Sequence, residues 1–303
     1  MSAVLALPPA RSPRLWRRLP PLALAGAVLL ILFGLLVLAA PLVAAALGTT
    51  PDAVDLLQRL APPSTAHPLG TDALGRDTLL RLLEGGRVSL GLGLSVALLA
   101  AVIGTAVGLW AGYAGGFWDQ LLMRTTDGVI ALPLLPLLIV LAAIDPAKLG
   151  IPPEAAASPL LGIGRIGLLI ALVGWTTVAR LVRGATLSLK EREFVRAARA
   201  LGAGPVRILL RHILPNLVRP LIVAATLSVG NIILLESVLS FLGLGVMPPA
   251  PSWGNMLTGA EELIWSAPLQ AVWPGLAIFL TVIACNLLGD GLQEALDPQG
   301  HRR

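Results

Sequence analysis

Few side chains in this sequence have the type and spacing to do chemistry, and the most telling of them is a carboxylate. Glu236 lies deep in the apolar run from Leu221 to Phe241, where an ionised acid at a helix centre costs about 3 kcal/mol on insertion scales unless paired or wetted. It must face the protein interior. Asn231, Ser237 and Ser240 can share a polar lining with it, although 100° per residue spreads the four over a broad arc. Two roles fit Glu236: a contact on a path for a solute, where it could meet an ammonium group, or a hydrogen bond between spans. The remaining candidates offer less. His67 has no second His, Cys or carboxylate cluster at ligand spacing, so it is a loop histidine before Pro68 rather than a metal ligand. Ser188 and His212 have no nucleophile motif around them. Ser188 is explained by Glu191 three residues later, a reciprocal capping box. No GxxxxGK[ST] phosphate loop occurs, so the chain is not expected to hydrolyse ATP or to be an enzyme.

The elements that must position these groups are membrane spans. The sequence is 56% hydrophobic and only 13% charged, with mean hydropathy +0.83, whereas soluble domains carry roughly 25% charged residues. Its 303 residues hold several spans of about 20 residues and little separate soluble domain. A net charge of +5 marks loops on the cytoplasmic side rather than a nucleic-acid surface. Cys285 is the single cysteine, which excludes an internal disulfide.

In chain order, a basic tail (1–18) with Arg11, Arg14, Arg17 and Arg18 precedes the apolar run 19–47. That run exceeds the roughly 7 to 15 residues of a signal-peptide core, which predicts an uncleaved first span with its N-terminus in the cytoplasm. Residues 48–87 read as an extracytoplasmic loop. In it Asp77 should cap a short amphipathic helix, formed by Leu79, Leu80, Leu82 and Leu83, stopped by Gly85 and lying on the membrane surface. Five further spans occupy 88–290. The second (88–111) carries Gly104 and Gly108 at the GxxxG spacing of close helix packing. The third (128–144) should be bent at Pro133 and Pro136, and the fourth is expected over 165–181. The last two are expected over 221–241 and 271–288, with Trp253, Trp265 and Trp273 at the membrane interface. An all-α protein of about six transmembrane helices follows, whose tail (291–303) returns to the cytoplasm.

Between the fourth and fifth spans lies a charged insertion, 188–216. Phe194, Ala197, Ala198 and Leu201 fall at i, i+3, i+4 and i+7 on one apolar face, with Arg192, Arg196 and Arg199 opposite, as a docking helix requires. Gly202 should stop that helix, Pro205 suits the first turn of a second one, and Pro215 should bend the chain back into apolar sequence. Lys190 and the many arginines outweigh Glu191 and Glu193, which places the loop inside.

This loop resembles the coupling loop of ATP-binding-cassette importer permeases, whose signature is Glu-Ala-Ala, three residues, Gly, nine residues, Ile, one residue, Leu-Pro. Ala197, Ala198, Gly202, Leu214 and Pro215 match it, Arg196 stands in place of Glu, and His212 in place of Ile with Ile213 one position later. HPLGTDALGRD, MRTTDG, SFLGLGVMPPAPSWG and NLLGDGLQEALDP resemble the dipeptide, oligopeptide and nickel subgroup, its C-type permeases. The resemblance implies the type I importer permease fold, with Glu193, Phe194, Arg196, Ala197, Ala198, Leu201, Gly202, Leu214 and Pro215 coupling to the ATPase. Asn231, Glu236 and Ser237 are candidate pathway groups. It also implies a second, homologous permease, two ATP-binding subunits, an extracytoplasmic solute-binding protein and surrounding membrane lipid. No nucleic acid and no cofactor of this chain's own is expected; ATP would be used by the partner subunits in the bacterial plasma membrane. Nickel chelates or glutathione are alternative solutes. A stand-alone gradient-driven transporter and a noncatalytic scaffold are alternatives from other classes, and both leave the docking loop without a role.

Overall fold

The computed structural model describes residues 20–152, 154 and 158–296. The basic tail 1–18 and the terminal His301, Arg302 and Arg303 lie outside the described residues. Everything described is helix, turn or loop, apart from one isolated bridge between Thr71 and Asp77. Among the described residues five helices are long and apolar enough to cross a membrane, and one bent pair passes the same test when its two helices are counted as a single span. The expected all-α membrane fold is therefore present.

The first apolar run forms α1 (Pro21–Leu38) and α2 (Ala40–Leu47), separated at Ala39 just before Pro41. α3 (Thr78–Ala114) is the longest regular helix, about 55 Å at 1.5 Å per residue. The Asp77 carboxylate accepts from the Leu80 N–H at 2.9 Å, the expected cap. The helix does not stop at Gly85, however. Gly85 is buried within it, so the separate surface helix expected in 48–87 is the first two turns of the second span. Leu80 and Leu83 are buried against protein rather than laid on a membrane surface.

α4 (Gly116–Ala131) and α5 (Leu134–Ala142) meet at 85°. Leu132 is extended, as the residue before a proline prefers, and Pro133 begins the new direction. Pro136 sits in the first turn of α5, where an amide hydrogen is not needed, and causes no second bend. α6 (Pro159–Leu189) starts earlier and runs further than the expected 165–181, and so takes Arg180, Arg183 and Ser188 into the helix. Ser188 is therefore no N-cap, and the predicted capping box is absent. α7 (Glu193–Ala200) begins instead after Arg192, whose side chain makes no capping bond.

α8 (Pro205–Ile208) opens with its proline in the first turn, as expected. It continues through a π turn at Leu209–Ile213 into α9 (Leu214–Phe241). Pro215 falls in the first turn of α9, directly after the π turn, and does not turn the chain: Pro205–Phe241 runs on as one span. α10 (Leu269–Leu296) closes the bundle.

α3 packs along α6 and α9, while α10 packs on α9 and α1. The GxxxG spacing has the expected consequence: a Cβ on Gly104 would lie 2.5 Å from the Trp175 carbonyl oxygen, and one on Gly108 2.5 Å from that of Ala179. Only hydrogen at these positions lets α3 and α6 approach so closely. Gly112 extends the contact to Thr186. Apolar side chains such as Leu24, Val28, Leu94, Leu98, Leu168 and Phe279 point outward, as lipid-facing helices require.

Candidate coupling loop and buried carboxylate

Gly202 has φ +81°, and two bonds close the end of α7: the Gly202 N–H donates to the Arg199 carbonyl and the Ala203 N–H to that of Ala198, each at 3.0 Å. This is a Schellman end, which needs a left-handed residue at that point. On α7, Val195 is buried in a cluster with Leu109, Val178, Val182, Ile208, Ile213 and Leu217, and Ala198 is buried on the same side of the helix. Phe194 is 43% exposed, Leu201 is 89% exposed and Ala197 is exposed too. The apolar set predicted as one face is thus divided. Ala198 anchors the helix, whereas Phe194, Ala197 and Leu201 present an apolar surface outward. Val195 was missed, although its i, i+3 relation to Ala198 marks the anchoring side.

Glu193 and Arg196 are exposed, and Arg196 pairs with Glu191 at 3.2 Å in solvent, a contact worth at most about 1 kcal/mol. Arg199 lies over the Tyr113 ring at 5.9 Å, and Lys190 Nζ donates to the Gly112 carbonyl at 2.9 Å. Together they seat the loop on the end of α3. Ile213 is fully buried while His212 is only partly so. The π turn carries the apolar side chain one residue later, which accounts for the shifted Ile in the signature. Leu214 is half-buried beside this cluster and Pro215 is exposed.

Near this end, Arg183 clasps Asp119 and Arg180 bonds Asp127, joining α6 to α4. Neither pair follows from sequence separation, since the partners stand 64 and 53 residues apart.

At the opposite end of α9, Glu236 is fully buried. Its Oε1 accepts from Ser240 Oγ at 2.7 Å and its Oε2 from Ser89 Oγ at 3.1 Å. Ser237 turns back to the Ile233 carbonyl at 2.7 Å. Asn231 is not part of this group. It is exposed and, with Thr177 and Ser228, lines two adjoining cavities of about 640 and 480 Å³ between α6, α9 and their neighbours. The polar lining envisaged around Glu236 therefore separates into an enclosed cluster and an open groove.

His67 Nδ1 contacts Asp77 Oδ2 at 2.8 Å, which orients the loop before α3. Among the described residues no group of three His, Cys, Asp or Glu could hold a metal ion. Trp265 is 94% exposed, as an interfacial residue would be, but Trp253 is 1% exposed and donates from Nε1 to the Leu82 carbonyl at 2.9 Å. Trp253 is a core side chain, not an interface anchor, because its segment folds down between α1, α3 and α9.

Residues 104–300 match the family model described as the binding-protein-dependent transport system inner membrane component. The chain belongs to this family. It is 43% identical over 251 residues to a peptide permease protein of Brucella suis, covering 82% of this chain and 78% of that one. A counterpart from Brucella ovis is 42% identical over the same length. The glutathione transport system permease protein GsiD of Escherichia coli is 44% identical over 237 residues, 78% of this chain and 74% of its own. The chain is accordingly a multi-span permease subunit of an ATP-binding-cassette importer and not an enzyme, and an importer of this kind works with ATPase and binding-protein partners.

Proposed function

We propose that this permease forms half of the translocation path of an ATP-driven importer of dipeptides or oligopeptides. A second, homologous permease completes the path, two ATP-binding subunits sit on the cytoplasmic side, and an extracytoplasmic solute-binding protein delivers the solute. The observation that carries the coupling role is the division of α7: Val195 is buried in one cluster with residues of α3, α6, α8 and α9, while Phe194, Ala197 and Leu201 offer an apolar surface to a partner. A helix held on one side and apolar on the other passes a push from an ATPase cleft through α8 and the π turn, which it packs on, into α9. ATP is used by those partner subunits, and this chain holds no cofactor of its own. Both termini lie in the cytoplasm of a bacterial plasma membrane, a placement supported by the arginine-rich loop and, with the bent pair α4–α5 counted as one span, by an even number of crossings.

The groove containing Asn231, Thr177 and Ser228 supports a solute path along α6 and α9, since an amide exposed in an apolar span must face water or protein rather than lipid. The enclosure of Glu236 supports a structural role for that carboxylate. Relatives named for peptides and for glutathione favour a small peptide as solute. The test is purification of the complex from its native membrane by this chain, mass spectrometry of its subunits, and uptake of labelled dipeptides, tripeptides and glutathione into reconstituted vesicles. Two ATPases, a second permease and ATP-dependent peptide uptake are expected. A lone chain that transports on an ion gradient would defeat the proposal.

A further inference from the structure

Two backbone amides of the segment after α9 are bonded not to other backbone but to serine hydroxyls. The Val246 N–H donates to Ser240 Oγ at 3.0 Å, and the Trp253 N–H donates to Ser89 Oγ at 3.1 Å. A serine hydroxyl has one proton, and when its oxygen accepts from an amide that proton must go elsewhere. Both protons go to Glu236, one to each carboxylate oxygen. One fully buried side chain therefore joins α3, through Ser89, and α9 to both ends of the 246–253 segment. The rest of the segment is braced to match. Asn255 donates from Nδ2 to the Val246 and Ala250 carbonyls at 3.1 and 2.8 Å, and its Oδ1 accepts from the Ser252 N–H at 2.9 Å. The Trp253 ring meets Phe33 of α1 edge-on at 6.1 Å. Room for it exists because Gly86 has no side chain; a Cβ there would lie 3.0 Å from the indole.

We propose that Glu236 is a positioning residue, a latch that makes the outer ends of α3 and α9 and the segment 246–255 one rigid unit through the transport cycle. It does not touch the solute. Motion that opens the path then occurs elsewhere, and the 85° break between α4 and α5 lies outside this unit. An amide cannot replace the carboxylate, because its NH2 would face a hydroxyl whose own proton already points inward.

The test uses spin labels at Met247→Cys and Arg87→Cys, both solvent-exposed, in the assembled complex in lipid; Cys285 is buried and stays unlabelled. One narrow distance, identical in nucleotide-free and ATP-trapped complexes, is expected. Glu236→Ala should broaden it, and so should Ser89→Ala, a milder change that keeps the test open if Glu236→Ala fails to assemble. ATP-driven uptake should fall about tenfold in Glu236→Gln, the scale of one lost charge-assisted hydrogen bond. The loss should be equal for cationic, neutral and acidic dipeptides. A distance that changes with nucleotide, or stays narrow in both alanine variants, overturns the latch. A loss confined to cationic peptides also overturns it and makes Glu236 a pathway contact. The nucleotide-free distance does not depend on which solute is carried, so the latch and the peptide assignment can fail separately.

Discussion

Arg183 and Asp119 are joined by two parallel bonds, Nε to Oδ1 at 2.5 Å and Nη2 to Oδ2 at 2.7 Å, across the contact of α6 with α4. The fork of a guanidinium matches a carboxylate in this way, and a lysine cannot reproduce it. The pair lies where α6 approaches the coupling loop. It therefore ties the helix that leads into α7 to the helix that carries the 85° break.

Arg183→Lys should lower ATP-driven uptake while membrane abundance is unchanged. The stability cost should be only about 1 kcal/mol, since both side chains keep some contact with solvent. The exchange Arg183→Asp with Asp119→Arg should restore part of the uptake. Transport by the single and double variants at matched expression checks this.

The two sides of α7 should separate by assay. Val195→Ala removes a fully buried side chain from the cluster under the loop and should destabilise the purified subunit by roughly 2 kcal/mol. Leu201→Ala acts on an exposed side chain and should leave the melting temperature unchanged while uncoupling uptake from ATP hydrolysis. Thermal unfolding in detergent and uptake per ATP consumed distinguish the two.

Gly202 stands in open space, so a larger residue there meets no obstacle except its own backbone. Gly202→Val should still insert but lose coupling, because a β-branched residue at φ +81° costs about 1 to 2 kcal/mol and loosens the Schellman end. Gly202→Asn, which tolerates that conformation better, should transport more than the valine variant. Uptake at equal expression decides the order.

Gly108→Val should drive α3 from α6 by pressing a side chain on the Ala179 carbonyl, at a cost of about 1 to 3 kcal/mol. Gly91→Ala, on the same helix but facing open space, should be nearly neutral. Comparison of their melting curves tests whether the close approach, rather than glycine content as such, holds this helix pair.

Much of the molecule was already determined by local sequence. Apolar runs of span length determined the all-α class, Asp77 the start of α3, Gly202 the end of α7, and Gly104 with Gly108 a close helix contact. Each of these follows from the chemistry of a few adjacent residues. Helix ends were less legible: Gly85 did not stop α3 and Ser188 did not start α7, because buried packing on neighbouring helices outweighs a single weak breaker or cap. Only the tertiary structure decided which apolar side of α7 is anchored, that Trp253 is core, and that Asn231 and Glu236 serve different places. Those outcomes depend on partners far away in the chain, such as Ser89 for Glu236 and Leu82 for Trp253, 147 and 171 residues distant. No periodicity within one helix carries that information, since it marks a polar side chain as inward-facing without showing what stands opposite.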